Sequence, residues 1–281
     1  MRIKVTANGL LFDLLREKFP EASQTTLRKM LRHDRVTLDG TALRRADAPV
    51  RTGQVIDIAS GRETTVRPPC DILYRDDHVL AVHKPPGILS MGRGRPGEDT
   101  LYRRLQAFVH TTSAGRDRVF IVHRLDQEAS GIMLFALSPS VQDKLQSSWP
   151  STEKHYWALV EGSPPKEEGT IESWLRENSA YKVYAAPEGP DAKLAVTHYR
   201  VCKTGPARSL LDVRIETGRK NQIRVQLSDL GCPIVGDRRY GARTDPIHRL
   251  GLHACLLAFT HPVSGERVRL QLPVPGAFRV G

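Results

Sequence analysis

Apolar residues recur along the chain with two periods, and the switches between them mark out its elements. Leu10, Leu11, Leu14, Leu15 and Phe19 follow helical spacing, and Pro20 ends that helix. Ser23 or Thr25 then caps a second helix, with Leu27, Met30 and Leu31 turned inward and Arg28, Lys29 and Arg32 turned to solvent. Val36-Thr37-Leu38 running into Asp39-Gly40 predicts a strand entering a hairpin, and Val55-Ile56-Asp57-Ile58 a closing strand. Further on, Ile72–Arg75 and Val79–Lys84 read as strands joined by an acidic turn, and Thr100–Val109 as a helix. The unbroken run Ile132–Leu137 reads as a buried strand, and Ser140–Trp149 as a helix stopped by Pro150. Alternation marks strands at 154–162, 197–201 and 209–215, whereas 162–169 and 185–193 read as hairpin loops around a stretch with little periodic signal. These elements divide into a first domain at 1–60, a linker at 61–70 and a larger domain at 71–281.

Composition is that of a globular protein, with 40% hydrophobic and 26% charged residues in 281. The net charge of +11 favours a polyanionic partner, because each phosphate neutralised releases counterions. Four cysteines at 70, 202, 232 and 255 form no C-x-x-C pair, so neither a structural zinc nor any other metal site is expected, and a reducing compartment is. No apolar run has the length to span a bilayer, and Met1-Arg2-Ile3-Lys4-Val5 lacks a signal-peptide core, so the expected location is cytoplasmic.

The chemistry concentrates at Ile121-Val122-His123-Arg124-Leu125-Asp126-Gln127-Glu128-Ala129-Ser130-Gly131, a short polar loop before the buried strand. Asp126 is ionised at neutral pH and suits a nucleophile, a base or an electrostatic stabiliser, and Gly131 lets backbone approach a ligand. A lone loop Asp more often just makes a turn. This loop, however, resembles the H-R-L-D-x-x-[ST]-S-G signature of the pseudouridine synthases of the large-subunit ribosomal RNA type, in His123, Arg124, Leu125, Asp126, Ser130 and Gly131, with Ala129 in place of the family's Thr.

Four further blocks extend the resemblance in the family's order. Lys84-Pro85-Pro86-Gly87 is similar to K-P-x-G; its Lys84 either meets phosphate or reaches out to water. Lys154-His155-Tyr156-Trp157-Ala158 through Gly162 resembles K-x-Y-x-A-x-x-x-G, which puts Tyr156 on the tyrosine that stacks against the target base. Thr217-Gly218-Arg219-Lys220-Asn221-Gln222-Ile223-Arg224 resembles T-G-R-x-H-Q-I-R, with Asn221 for His, so that an imidazole role there is lost while a donor and an acceptor remain. Arg224 falls on the arginine that pairs with the catalytic aspartate. Gly231–Gly241 and Leu250 through Pro262 complete the series, and Leu252 is the candidate apolar contact opposite Tyr156.

The resemblance implies an α+β chain: a mixed, mostly antiparallel sheet with flanking helices, preceded by a small α+β domain. Residues 1–60 resemble the S-four-like RNA-binding module and carry eleven Lys/Arg against seven Asp/Glu, with Arg28, Lys29, Arg32 and Arg35 read as a phosphate-facing stripe. The activity implied is isomerisation of uridine to pseudouridine in RNA, with Asp126, Tyr156 and Arg224 catalytic. Substrate contacts are expected from Lys84, His123, Arg124, Leu125, Gly131, Arg219, Gln222 and Leu252. No cofactor is needed, since neither redox chemistry nor transfer to a second molecule occurs, and a monomer is expected. Large-subunit ribosomal RNA is the expected substrate, with transfer RNA as the alternative. The base must leave its stack to react, with Tyr156 stacking on it and Arg124 filling the gap. Whether Asp126 attacks the anomeric carbon, stabilises it or takes a ribose proton is open. Two rivals are a silent RNA-binding protein and a hydrolase, which would need a second carboxylate flanking the bond.

Overall fold

In the computed structural model, the described residues are 1–32, 36–43, 45–58, 67–92, 97–113 and 115–280, with Lys29 and Arg32 described in backbone only. The chain divides into two compact units, Met1–Val66 and Arg67–Gly281. Of the expected linker, 61–66 lies outside the described residues, as does Arg35 of the basic stripe.

The first unit contains β1 (Arg2–Lys4), β2 (Gly9–Leu10), α1 (Leu11–Lys18), α2 (Gln24–Arg32), β3 (Val36–Leu38), β4 (Thr41–Ala42), β5 (Pro49–Val50) and β6 (Val55–Ile58). Four strands form a sheet in the order β1-β6-β3-β4, and β2 pairs with β5. Leu11 and Leu15 of α1 and Leu27 and Leu31 of α2 bury against Val36, Val50 and Ile56. Ser23 caps α2, its hydroxyl accepting from the Thr26 N–H at 3.2 Å. The β3–β4 turn puts Asp39 and Gly40 at φ 48° and 84°, the left-handed pair that a two-residue hairpin requires. Arg28 is exposed, its guanidinium 5.6 Å from the ring centre of Phe12.

The second unit is built on one large sheet. Its elements are β7 (Ile72–Arg75), β8 (Val79–Lys84), α3 (Leu101–Thr112), β9 (Phe120–Ile121), β10 (Ser130–Ala136), α4 (Pro139–Ser147), β11 (Glu153–Glu161), β12 (Glu168–Glu177), β13 (Val183–Ala186), β14 (Lys193–Thr204), β15 (Arg208–Ile215), α5 (Gln222–Asp229), β16 (Leu252–Thr260) and β17 (Arg267–Gln271). The strand order is β13-β12-β14-β15-β11-β16-β10-β8-β7, with β17 added on β16 and β9 on β10. Among the described residues these strands all pair antiparallel except β10 with β16, which run parallel for Ser130–His253 and Gly131–Ala254. The two strands then part, β10 to pair with β9 and β16 with β17.

Every residue of β10 is buried, as expected of a continuous apolar run enclosed on both faces. β12 and β13, which lack a clear period, are half exposed along their length. Thr100 and Ser138 cap α3 and α4 through their side chains. Gly131 sits at φ 123°, and a Cβ there would meet the Ala254 carbonyl oxygen at 2.2 Å. Its missing side chain therefore serves the approach of β16. The expectation that it opens room for a ligand is corrected.

Candidate active site

The site forms where β10 and β16 come together, with β11 beside them and α5 across the opening. Asp126 lies in the loop just before β10, and the backbone on either side of it is clamped. Upstream, the buried Ser90 hydroxyl accepts from the Leu125 N–H at 3.1 Å and donates to the Leu125 carbonyl at 2.7 Å. Downstream, the Lys84 ammonium donates to the carbonyls of Pro85, Gln127 and Ala129 at 3.0, 2.9 and 2.7 Å. Lys84 is fully buried. Burial lowers its pKa to about 8, against the charges of Glu128 and Asp126, which hold the proton on. Neither expected role fits: Lys84 reaches no solvent and so meets no phosphate. It pins the Asp126 loop.

With its backbone held, Asp126 keeps 23% of its side-chain surface open. Its Oδ2 accepts from Arg224 Nη1 at 3.1 Å. Arg224, in the first turn of α5, is in turn gripped by Asp237, which accepts from Nε at 2.6 Å and Nη2 at 2.8 Å. Nη1 also donates to Asn221 Oδ1 at 3.2 Å, and the guanidinium lies 5.0 Å from the ring centre of Tyr240. Burial alone would lower the Arg224 pKa. Hydrogen bonds and charge from Asp237, then from Asp126, outweigh it and raise it. The guanidinium is thus permanently charged and fixed in orientation, and its hydrogen bond orients the Asp126 side chain. Asp237, at 1% side-chain exposure, was not apparent from the sequence; the signal was an acidic residue inside Gly236-Asp237-Arg238-Arg239, which reads as a turn.

Asp126 opens into a cleft enclosing about 490 Å³, its mouth included. Tyr156, Leu252, Ile215, Ile223, Ala129 and Leu125 supply a largely apolar wall, and Arg124, Arg219, Gly218, Asn221, Gln222 and Arg224 the remainder. Asp126 is the one carboxylate among the described lining residues, since Asp237 stays behind Arg224. Burial, then the Asp126 charge, pushes the Tyr156 phenol well above its ordinary pKa, so it stays protonated. Leu252 and Tyr156 stand on neighbouring strands in this wall, and Arg124 is exposed at the rim.

Two expected substrate contacts are otherwise engaged. The Gln222 amide accepts from Thr217 Oγ1 and the Arg219 N–H and donates to the Val196 carbonyl and Thr197 Oγ1, so it braces the cleft wall from within. His123 is absent from the lining: its Nε2 accepts from the Leu134 N–H at 3.0 Å, and its ring stacks on Trp149 at 4.3 Å. Burial, with the Lys154 charge, lowers its pKa to about 3, which keeps it a neutral acceptor. At position 221, the amide that replaces the family's imidazole uses both its groups, the oxygen toward Arg224 and the nitrogen toward the Tyr240 hydroxyl at 2.9 Å. Among the described residues there is no grouping of three or more His, Cys, Asp or Glu able to hold a metal.

A lone carboxylate, a half-buried tyrosine and an apolar floor suit a flat uncharged ring joined to a sugar. Among solved structures, human RNA pseudouridylate synthase domain containing 1 superposes with a TM-score of 0.62 at 26% identity, covering 74% of this chain and 84% of that one. Fold and site together define an RNA-modifying enzyme of the pseudouridine synthase fold. A family model described as RNA pseudouridylate synthase matches residues 78–229. The Xanthomonas campestris pv. campestris protein named ribosomal large subunit pseudouridine synthase D is 36% identical over 293 residues, which cover 96% of this chain and 87% of that protein. Its Xylella fastidiosa namesake is 35% identical over 294 residues, with the same coverage. The chain belongs to the RNA pseudouridylate synthase family, whose members are isomerases.

Proposed function

We propose that this enzyme converts specific uridines of large-subunit ribosomal RNA into pseudouridine. The observation that carries the reading is the Asp126–Arg224–Asp237 chain of charge facing an apolar, tyrosine-walled cleft, and the names of relatives matched along nearly the whole chain support the ribosomal substrate. The uridine is turned out of its stack into the cleft, where Tyr156 and Leu252 take the faces of the uracil and Arg124 occupies the space it left. Asp126 acts at the ribose: the bond from C1′ to N1 breaks, the detached uracil turns while still enclosed, and C1′ joins C5. The hydrogen lost from C5 is balanced by one gained at N1, so the RNA keeps its mass and no co-reactant is consumed.

The first unit acts as an S-four-like RNA-binding domain at 1–60, joined through 61–70 to the catalytic domain at 71–281. Two helices and a hairpin support this, with exposed Arg28 on one helix. Four free cysteines and a ribosomal substrate fit a cytoplasmic enzyme, and among the described residues no helix is long and apolar enough to cross a membrane. We take it to act as a monomer. The test maps pseudouridines across ribosomal and transfer RNA from a strain lacking the gene, complemented with the natural chain or with Asp126→Asn. Loss of defined large-subunit sites, restored only by the natural chain, is expected. Unchanged large-subunit sites, or loss confined to transfer RNA, would overturn the substrate.

A further inference from the structure

The tip of the β12–β13 hairpin carries a second feature suited to RNA. Asn178 closes a tight turn there: its carbonyl accepts from the Tyr181 N–H at 2.9 Å, its N–H donates to the Lys182 carbonyl at 3.0 Å, and its side-chain oxygen accepts from the Lys182 N–H at 2.9 Å. Tyr181 stands in this turn at φ 57°, a left-handed conformation that bulky side chains rarely adopt. The residue is 72% exposed, more than any other large apolar or aromatic residue among the described residues. Neither packing nor backbone preference accounts for a tyrosine at this position.

The surroundings are cationic and adjoin the cleft. The Lys220 ammonium, paired with Glu177, lies 5.4 Å from the centre of the Tyr181 ring. Arg239 donates to the Tyr181 carbonyl at 2.7 Å, which fixes the tip from below. Lys220 stands in the chain between Arg219 and Asn221, both part of the cleft lining, so the ring is one lysine side chain away from the mouth. Lys182 lies 5.9 Å from the ring centre of Tyr240, the same ring that carries Arg224 on it.

We propose that Tyr181 is a stacking platform for an unpaired base of the RNA strand next to the nucleotide held in the Asp126 cleft. This rests on the RNA reading above and extends it to a second contact outside the cleft. An exposed ring accepts the face of any base, and flanking lysines and arginines meet the phosphates on either side of it. A rigid turn keeps the ring presented before RNA arrives, so little order is lost on binding.

The test measures equilibrium affinity of the full chain for a stem-loop RNA containing the unmodified target uridine, by fluorescence anisotropy, together with kcat, KM and thermal midpoint. Tyr181→Ala is expected to weaken affinity and raise KM by about 5- to 100-fold, the range one base–aromatic stack spans, with kcat at saturating RNA within about twofold. Tyr181→Trp is expected to stay within about threefold of the natural chain, and Tyr181→Gly to lose affinity while its thermal midpoint holds or rises, since glycine suits the turn. Unchanged affinity in Tyr181→Ala overturns the proposal, as does a fall in thermal midpoint and kcat shared by Ala, Gly and Trp. Pseudouridine formation by the natural chain reads the proposed substrate separately. A chain that binds the RNA through Tyr181 without modifying it refutes that substrate alone.

Discussion

Replacing Lys84 by Met keeps the length of the side chain and removes its charge, which tests whether the residue pins the loop or touches RNA. The natural ammonium serves three carbonyls, of Pro85, Gln127 and Ala129. Gln127 keeps a second donor, the Gly87 N–H at 2.9 Å, so the loss falls mainly on the other two. A buried acceptor deprived of its donor costs about 1–3 kcal/mol, and release from burying an ammonium returns part of the sum. The net loss is about 2–4 kcal/mol, a fall of roughly 5–15 °C in the unfolding midpoint for a unit of this size. Because the Gln127 and Ala129 carbonyls belong to the Asp126 loop, turnover is expected to fall about 100-fold, as for misplacement by an ångström, with RNA affinity unchanged. Thermal unfolding, single-turnover kinetics and the salt dependence of RNA binding decide the matter. A phosphate contact would do the opposite: midpoint unmoved and the salt slope shallower by about one charge. That outcome would refute the argument from burial.

Other expectations follow from the same geometry. Asp126→Asn, nearly isosteric, is expected to abolish turnover and leave RNA affinity within a few fold; retained pseudouridine formation would remove Asp126 from the chemistry. Asp237→Asn weakens the charged grip on Arg224, and turnover is expected to drop about 10- to 100-fold with KM little changed, from a loss of about 1.5–3 kcal/mol per charged hydrogen bond. Raising pH through about 8 deprotonates Lys84 in place and leaves two hydrogens for three carbonyls, so the rate is expected to fall on that limb. The unfolded chain still binds the proton up to the ordinary lysine value, so this group makes the fold more stable from about pH 8 to about 10.5, and activity and stability should diverge there. His123 acts at the other end: its folded pKa of about 3 lies below the ordinary 6.5, so the unfolded chain binds the extra proton and stability falls as pH drops below 6.5. Denaturant titrations across pH 6.5 to 4.5 should show a slope about one proton shallower in His123→Gln.

What the sequence disclosed and what it concealed divide along physical lines. The Asp126 loop, Tyr156 and Arg224 stand in local blocks whose residue order is itself the signal, and the buried strand β10 is a continuous apolar run. The strand β12 gave no such pattern because the half-buried positions that alternate with its exposed ones over 168–173 are Gly169, Ile171 and Ser173, only one of them a large apolar residue, and β13 is too short to show a period. Lys84 misled because lysine is almost never fully buried, and only the three carbonyls converging on it make this one an exception. Asp237 and Ser90 were hidden because each acts on a partner distant along the chain, and spacing carries no trace of such pairs. Gly131 was recognised as a close approach, but the approaching backbone is that of β16.

The pairing of β10 with β16 bears on when the enzyme first becomes competent. Asp126 precedes Arg224 by 98 residues, and β16, which joins β10 to β11 in the sheet, comes later in the chain than both. A nascent chain therefore carries the Asp126 carboxylate without its guanidinium partner until these later segments have been made. Alignment of that carboxylate thus waits on pairing between segments far apart in the chain and is not a property of the loop alone.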